Sequence, residues 1–196
     1  MPKIEFEFEK ETYRMFNLEK VMDLYAKAVR RAAQANLRKQ DKNATGTLSR
    51  TIKLHYEVKK YDVLIYPVTK AAPYWEYVDL GVQGFLTNRK APDSPFKFGT
   101  GTGPKGKLVP AIDRWTIVKP VMDVRDAKGK FIPRKSLVRM IARSVYLHGL
   151  KTTHFISDPM STKWDNYADR ITEALAKDLE QVYDKVLPDE ITWYIG

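Results

Sequence analysis

Cysteine is absent from the 196 residues of this chain. Its absence excludes disulfides and thiolate metal sites, and it fits a protein made in a reducing cytoplasm. Long hydrophobic runs are also missing, since no stretch approaches the roughly 20 apolar residues that a membrane span needs. We therefore expect no membrane partner. The start, Met1-Pro2-Lys3-Ile4-Glu5, has no apolar signal region, so secretion by that route is not expected.

Histidine is scarce, with only His55, His148 and His154. A zinc site needs convergent ligands, and no cysteine is present to complete one. His148 and His154 lie on either side of Gly149 and do not share a helix face. The sequence predicts ordinary surface or partly packed histidines, with no metal and no cofactor.

One segment has the residue spacing of nucleotide-binding motifs but lacks the flanking elements that these motifs require. Gly101-Thr102-Gly103-Pro104-Lys105-Gly106-Lys107-Leu108 has the glycine spacing of a dinucleotide loop and most of a P-loop. Both motifs require a hydrophobic strand before and a helix N-terminus after, so that backbone N–H groups hold phosphate. The preceding Asp93–Phe98 is poor strand material, and Leu108 replaces the hydroxyl that binds magnesium. A basic loop is the better interpretation.

Basic residues are abundant, giving a net charge of +10 and a pI near 9.6. From Phe85 to Lys135 there are twelve Lys and Arg against four Asp, which is +8. Such a charge favours acidic partners: nucleic acid, an anionic membrane or an acidic protein face.

Hydrophobic periodicity in the first half predicts a strand over Ile4–Phe8 and a long helix over Leu18–Gln40. Asn17 is the predicted N-cap of that helix. Ile52–Val58 and Tyr61–Tyr66 predict two strands of a hairpin.

Shorter elements follow. Ala71–Leu80 predicts a short aromatic helix with Gly81 as its C-terminal cap. Gly84–Lys107 lacks a period and predicts a long loop, a type of segment that is often functional. Leu108–Val118 predicts a short helix.

The remaining segments predict a hairpin, two helices and a final strand. The hairpin is predicted over Met122–Ile132, with its turn at Asp126–Gly129. Ser136 is the predicted cap of the next helix, which Gly149 ends. An apolar stripe over Trp164–Val186 predicts the long last helix, and Ile191, Trp193 and Ile195 alternate as a short strand.

This order predicts an α+β fold: an antiparallel sheet with a long N-terminal and a long C-terminal helix packed on it, plus an extended basic loop and hairpin region. We expect one domain over residues 1–196. Its parts are a helix and hairpin core (1–83), a basic insertion (84–135) and the C-terminal helices with a terminal strand (136–196).

Acidic and aromatic side chains cluster in the short aromatic helix. Glu76 and Asp79 lie one turn apart, a spacing that general acid–base pairs can use. No nucleophile lies near them, which favours a structural or interface role. Tyr74, Trp75 and Tyr77 could stack on bases, but their flanks are acidic, which favours packing or a subunit interface.

Two segments resemble the minor tail-component, or tail-completion, family of tailed bacteriophages, and a third resembles a segment of phage neck and minor virion proteins. The first segment carries the resemblance at Asn43, Gly46, Leu48, Thr51 and Ile52. The second carries it at Tyr74, Tyr77, Val78, Asp79 and Gly81, with Asp79 in place of the usual Glu. The third carries it at Leu137, Ile141, Ala142, Ser144, Val145, Gly149, Leu150, His154 and Phe155.

The resemblance implies a structural virion protein of the neck, assembled in the host bacterial cytoplasm. It implies a ring of twelve or six copies around the channel for DNA, in contact with portal or adaptor and tail proteins. It supplies no catalytic residues, and we expect no enzyme activity. The predicted interface residues are Tyr74, Trp75, Glu76, Tyr77, Asp79, Arg89, Lys90, Lys97, Lys105, Lys107, Arg125, Lys128 and Lys130.

The net charge leaves one alternative open, a basic nucleic-acid-binding protein without catalytic activity. Non-specific contact with genomic DNA is also compatible with a neck position. Electrostatic binding of either kind weakens steeply with salt.

Overall fold

A computed structural model describes residues 5–8, 11–42, 44–58, 63–68, 72–99, 104, 106, 108–119 and 124–186. The fold is mixed helix and strand, 59% helical, with a long helix near each end. In chain order the elements within these ranges are β1 (Glu5–Phe8), β2 (Glu11–Arg14), α1 (Phe16–Lys39), α2 (Thr47–Thr51), β3 (Lys53–Val58), β4 (Val63–Val68), α3 (Trp75–Asp79), α4 (Leu108–Val118), α5 (Arg134–His148) and α6 (Ser157–Val186). None of these helices is both long and apolar enough to span a bilayer.

The chain divides into two compact units. Unit 1 comprises Met1–Ala33, Ile52–Val68 and Asp158–Gly196, and unit 2 comprises Gln34–Thr51 and Thr69–Ser157. Both units are discontinuous in sequence, so neither corresponds to the three consecutive parts expected from the sequence. The prediction of a single domain stays a prediction.

Unit 1 is built around the N-terminal part of α1. Its hydrophobic cluster consists of Met15, Leu18 and Met22 with Tyr56 of β3, and Ile171 of α6 packs against it. These contacts place apolar side chains from both long helices and from one strand in a single core.

The strands of unit 1 form two separate antiparallel pairs, β1–β2 and β3–β4. Within the described residues this differs from the single sheet that we expected. The strand β2 was not predicted, because Glu11–Arg14 lacks apolar alternation. The hairpin β3–β4 is confirmed in register from Lys53 opposite Val68 to Val58 opposite Val63, and Pro67 falls inside its second strand. A two-stranded sheet tolerates proline because each strand is an edge.

The start of α1 corrects the predicted cap. Asn17 lies inside the helix, and its backbone N–H donates to Asp178 Oδ1 over 3.0 Å. The N–H of Leu18 donates to Asp178 Oδ2 over 2.8 Å. A carboxylate from α6 therefore satisfies these first amides, which otherwise have no partner within the helix.

Unit 2 holds the remaining elements. The helix α4 has the predicted bounds, and α5 ends at Gly149 as predicted. Ser136 is not the cap of α5, since Pro133 occupies that position without a side-chain hydrogen bond. The turn at Asp126 is confirmed by its Oδ1, which accepts from the N–H groups of Lys128 and Lys130, both over 2.9 Å.

The predicted loop after Gly84 is anchored through residue 99. Phe85 and Leu86 donate backbone hydrogen bonds to the carbonyls of Tyr146 and Leu147 in α5. Gln83 and Lys97 form a parallel bridge. This part of the loop is therefore fixed on α5, whereas most of the glycine-rich stretch 101–107 and the predicted strand at 191–195 lie outside the described residues.

Candidate interaction surface

A groove of about 740 Å³ opens on unit 2 between the end of α1, the segment leading into α2, and the helices α3 and α4. Its size lies within the range of about 300–1,000 Å³ that is usual for ligand sites. Its lining residues, which define "the groove" here, are Gln40, Asp41, Lys42, Ala44, Thr45, Gly46, Leu48, Tyr74, Val78, Ala111, Arg114, Trp115, Val118 and Lys119.

The first wall begins where α1 ends in a Schellman motif. Lys42 N–H donates to Leu37 O over 2.9 Å, and Asp41 N–H donates to Arg38 O over 3.1 Å. Asp41 adopts φ 53°, the left-handed conformation that this motif requires. The chain therefore turns sharply, and Gly46, with φ 70°, begins the next turn into α2.

The second wall is α3, which is held from behind by the segment before α6. Asp79 is only 2% exposed. Its Oδ1 accepts from the N–H of Ile156 over 2.9 Å and of Ser157 over 3.4 Å. The hydroxyl of Thr153 donates to Val78 O over 2.6 Å. These bonds hold α3 against the segment before α6, and Val78 of α3 and the preceding Tyr74 line the groove.

The third wall is α4, and an ion pair locks it to α5. Arg134 contacts Asp113 Oδ1 at 2.8 Å and donates to the Asp113 carbonyl over 2.8 Å. At the end of the groove Lys119 donates to the Asp41 carbonyl over 2.8 Å and pairs with its carboxylate. The first wall, at the end of α1, and the third wall, α4, are therefore joined at one end of the groove.

The groove combines an apolar floor with a basic rim. Leu48 is buried, whereas Trp115 and Tyr74 are 39% and 43% exposed. Lys42 and Arg114 are exposed at the rim, and within the described part of the chain neither makes an ion pair. Exposed Tyr, Trp and Arg side chains are enriched at protein interfaces.

The predicted interface residues fall in several places. Tyr74 lines the groove, Glu76 is exposed, and Trp75 is half-buried. Tyr77 is 45% exposed and lies against the Phe96 ring, with centroids 4.4 Å apart. The prediction that Asp79 is an interface residue is corrected. Its carboxylate is buried and bonded to the amides before α6, so a partner cannot reach it readily.

The predicted basic residues are dispersed over other loops of unit 2. Arg89, Lys90 and Lys97 are exposed, and Lys90 Nζ donates to Gly149 O over 3.3 Å. Arg125 stacks on Phe131 at 3.8 Å, and its hairpin also exposes Lys128 and Lys130. Lys105 and Lys107 lie outside the described residues. None of the six cations that the structure describes lines the groove.

A second basic feature was missed at the sequence level. Lys135, Arg139 and Arg143 recur every four residues on α5, so they share one helix face, and all three are exposed. The helix contains no Asp or Glu. We call these three residues the basic stripe. Its spacing is visible in the sequence and could have identified it.

The histidines do not converge. Among the described residues no group of three or more His, Asp or Glu side chains is arranged to hold a metal ion. His55 packs edge-on to Tyr66, and His148 and His154 contact Ser144 and Ser157.

Comparison of the chain with protein-family models, with curated proteins and with solved structures gives no match in any of the three.

Proposed function

We propose that this chain is a structural virion protein of a tailed bacteriophage, forming part of the head–tail connector through which DNA passes. It assembles as a ring of six or twelve copies and contacts portal or adaptor and tail proteins. It carries out no catalysis. The proposal begins with the order of the three resembling segments in the sequence.

One observation supports it most. The first two resembling segments, 42–52 and 71–81, are separated by a hairpin that belongs to unit 1, yet residues of both line the groove in unit 2. Segments that carry a family signature and meet on an exposed surface favour a shared binding role over separate packing roles. Exposed Tyr and Trp beside Arg are common anchors of protein interfaces.

Oligomeric state tests the proposal. The purified chain is examined by mass photometry and by negative-stain electron microscopy at micromolar concentration. We expect closed rings with a mass of six or twelve copies of 22.7 kDa. A labelled antibody is expected to mark the neck of virions that contain the protein. A monomer at every concentration, or a label elsewhere on the particle, would contradict the proposal.

The basic stripe favours a second candidate function, binding of nucleic acid. Three exposed cations at 5–6 Å spacing along a helix suit the regularly spaced phosphates of a duplex. This candidate predicts that affinity for a labelled duplex falls linearly on a log–log plot against salt. Each phosphate neutralised contributes a slope of about −0.9.

The variant Lys135→Glu/Arg139→Glu/Arg143→Glu tests that candidate in fluorescence anisotropy at several salt concentrations. The matched control, Lys20→Glu/Arg31→Glu/Lys185→Glu, changes the net charge equally at exposed positions of unit 1. If the stripe holds DNA, only the first variant flattens the salt slope, by about 3. An equal loss in both variants would indicate a response to net charge alone.

A further inference from the structure

The groove presents a surface whose natural complement is an acidic, aromatic peptide. Its rim cations Lys42 and Arg114 have no ion-pair partner among the described residues, and Trp115 and Val118 remain 39% and 45% exposed. Arg114 and Trp115 of α4 both line the groove, so a cation and an exposed aromatic ring are available to the same ligand. A ligand that satisfies both needs acids and large apolar side chains close together.

The two units differ in charge. Unit 2 carries 20 Lys and Arg against 7 Asp and Glu, which gives +13. Unit 1 carries 14 against 17, which gives −3. Contact between unit 2 of one copy and unit 1 of another is therefore favoured over contact between like units, where two units of +13 would repel.

The last ten residues of the sequence, Leu187–Gly196, have the composition that the groove requires. They belong to unit 1 and carry Asp189 and Glu190 but no Lys or Arg. Ile191, Trp193 and Ile195 follow at alternate positions, so an extended segment would direct all three to one side. Two acids followed by a spaced apolar triplet match a basic rim beside an apolar floor.

We propose that residues 189–196 of one copy bind in the groove of a neighbouring copy. The acids meet Lys42 and Arg114, and the apolar triplet covers Leu48 and Trp115. This contact joins different surfaces of the two copies, and repetition of such a head-to-tail contact closes a ring when the rotation permits. The inference rests on the proposed ring and names the contact that builds it.

Disulfide trapping tests the contact directly, because the chain has no cysteine of its own. One copy carries Ala111→Cys on the groove wall, and a second, differently tagged copy carries Ile195→Cys, at the last position of the apolar triplet that faces the groove. Ala111 is an exposed residue of α4. The control replaces it with Ala127→Cys, an equally exposed alanine outside the groove.

We expect the mixed copies to form a disulfide-linked product of two chains that carries both tags, at least about tenfold more than the Ala127→Cys control. Thermal melting of each variant checks that it is folded. A double variant, Ala111→Cys/Ile195→Cys, that links only within one chain, while the mixed copies stay unlinked, would overturn the inference.

A charge exchange gives a second readout. Asp189→Lys/Glu190→Lys and Lys42→Glu/Arg114→Glu should each weaken self-association by about tenfold, and their combination in one chain should restore it. Absence of rescue, with both variants folded, counts against the pairing.

The mass of the unaltered protein separates the two proposals. Rings without the two-tag product leave the connector function standing and overturn only this contact. A monomeric protein overturns both. A two-tag product with open filaments instead of rings supports the contact and contradicts ring closure.

Discussion

Two buried carboxylates hold helix starts in this molecule, one in each unit. Asp178 is 2% exposed and accepts three hydrogen bonds, two from Asn17 and one from Leu18. Asp79 is equally buried and accepts from Ile156 and Ser157. In both places a negative charge lies at the positive end of a helix dipole, where it stabilises the helix.

The variant Asp79→Ala should lower the free energy of unfolding by about 1–3 kcal/mol, because it leaves a buried amide without an acceptor. Urea denaturation monitored by circular dichroism measures this change. The control Glu76→Ala, in the same helix but exposed, should change stability by less than about 0.5 kcal/mol. Equal effects of the two substitutions would argue against the capping role.

Tyr25 makes the stability of unit 1 depend on pH in the alkaline range. Burial raises the pKa of its phenol above the usual value, and its hydroxyl donates to Met160 O over 2.9 Å. Below about pH 10 the phenol is protonated in both states, so this stability is fully present. Above that pH the unfolded chain releases the proton first, and the free energy of unfolding falls.

The variant Tyr25→Phe should therefore show a shallower loss of stability between about pH 9 and pH 11. At neutral pH it should be about 0.5–1.5 kcal/mol less stable, because the hydrogen bond is lost. Burial also raises the pKa of Tyr56, so part of the pH dependence should remain. Tyr183→Phe, at a site that is 60% exposed, is the control, and an identical slope in both variants would contradict the prediction.

At the level of elements, unit 2 depends on a close crossing of two backbone segments. Val82 and Leu150 exchange backbone hydrogen bonds of 3.1 and 2.8 Å. A Cβ added at Gly149 would lie 2.2 Å from Val82 O, and one at Gly84 would lie 2.3 Å from Leu147 O. This crossing positions the segment after α3 against the end of α5.

The variant Gly149→Ala should destabilise the fold by more than the cost of a positive φ alone. Gly129 is the matched control, since its φ of 78° is close to the 75° of Gly149 but nothing lies within 4 Å of an added Cβ. We expect Gly129→Ala to cost about 1–2 kcal/mol and Gly149→Ala clearly more. Thermal melting of both variants measures the difference, and equal melting temperatures would show that the crossing can relax.

At the scale of the whole molecule, charge is distributed unevenly, with +13 on unit 2 and −3 on unit 1. The sequence indicated an excess of positive charge in the central region, and the division into units assigns the excess to unit 2. Many of the cations lie on loops and on the exposed face of α5, where salt screens them effectively.

Self-association should therefore weaken as salt rises. Between about 50 and 500 mM NaCl the Debye length shortens several-fold, and we expect the apparent dissociation constant to increase by about tenfold. Mass photometry at each salt concentration measures this change, with circular dichroism as a check that the chain stays folded. Association that is unchanged or tightened by salt would indicate an interface dominated by apolar contacts.

Local patterns predicted the elements well. The apolar periodicity of α1 and the alternation in β3 gave bounds within a residue or two of those observed, and the short helix predicted over Leu108–Val118 matches α4. The turn at Asp126 and the end of α5 at Gly149 were also correct, since these signals depend on neighbouring residues only. The hairpin partner β2 and the short helix α2 were missed because neither has an apolar period.

Local sequence patterns could not predict contacts between residues that lie far apart in the sequence. Asn17 looked like a cap from its neighbours, yet the cap is Asp178, 161 positions away. Nothing in the sequence indicated the groove, because its lining residues at 40–48, 74–78 and 111–119 meet only in the folded chain. Asp79 was assigned to a surface because its burial depends on residues 156 and 157.

By itself the sequence determined the composition, the charge, the absence of thiol chemistry and the bounds of α1 and α4, because these depend on residue type and on local spacing. Only the tertiary structure decided that Asp79 and Asp178 are internal caps and that the segments around Gly46 and Tyr74 share a groove. Side chains far apart in the sequence meet through packing and hydrogen bonds, and the free energy of those contacts depends on the whole fold.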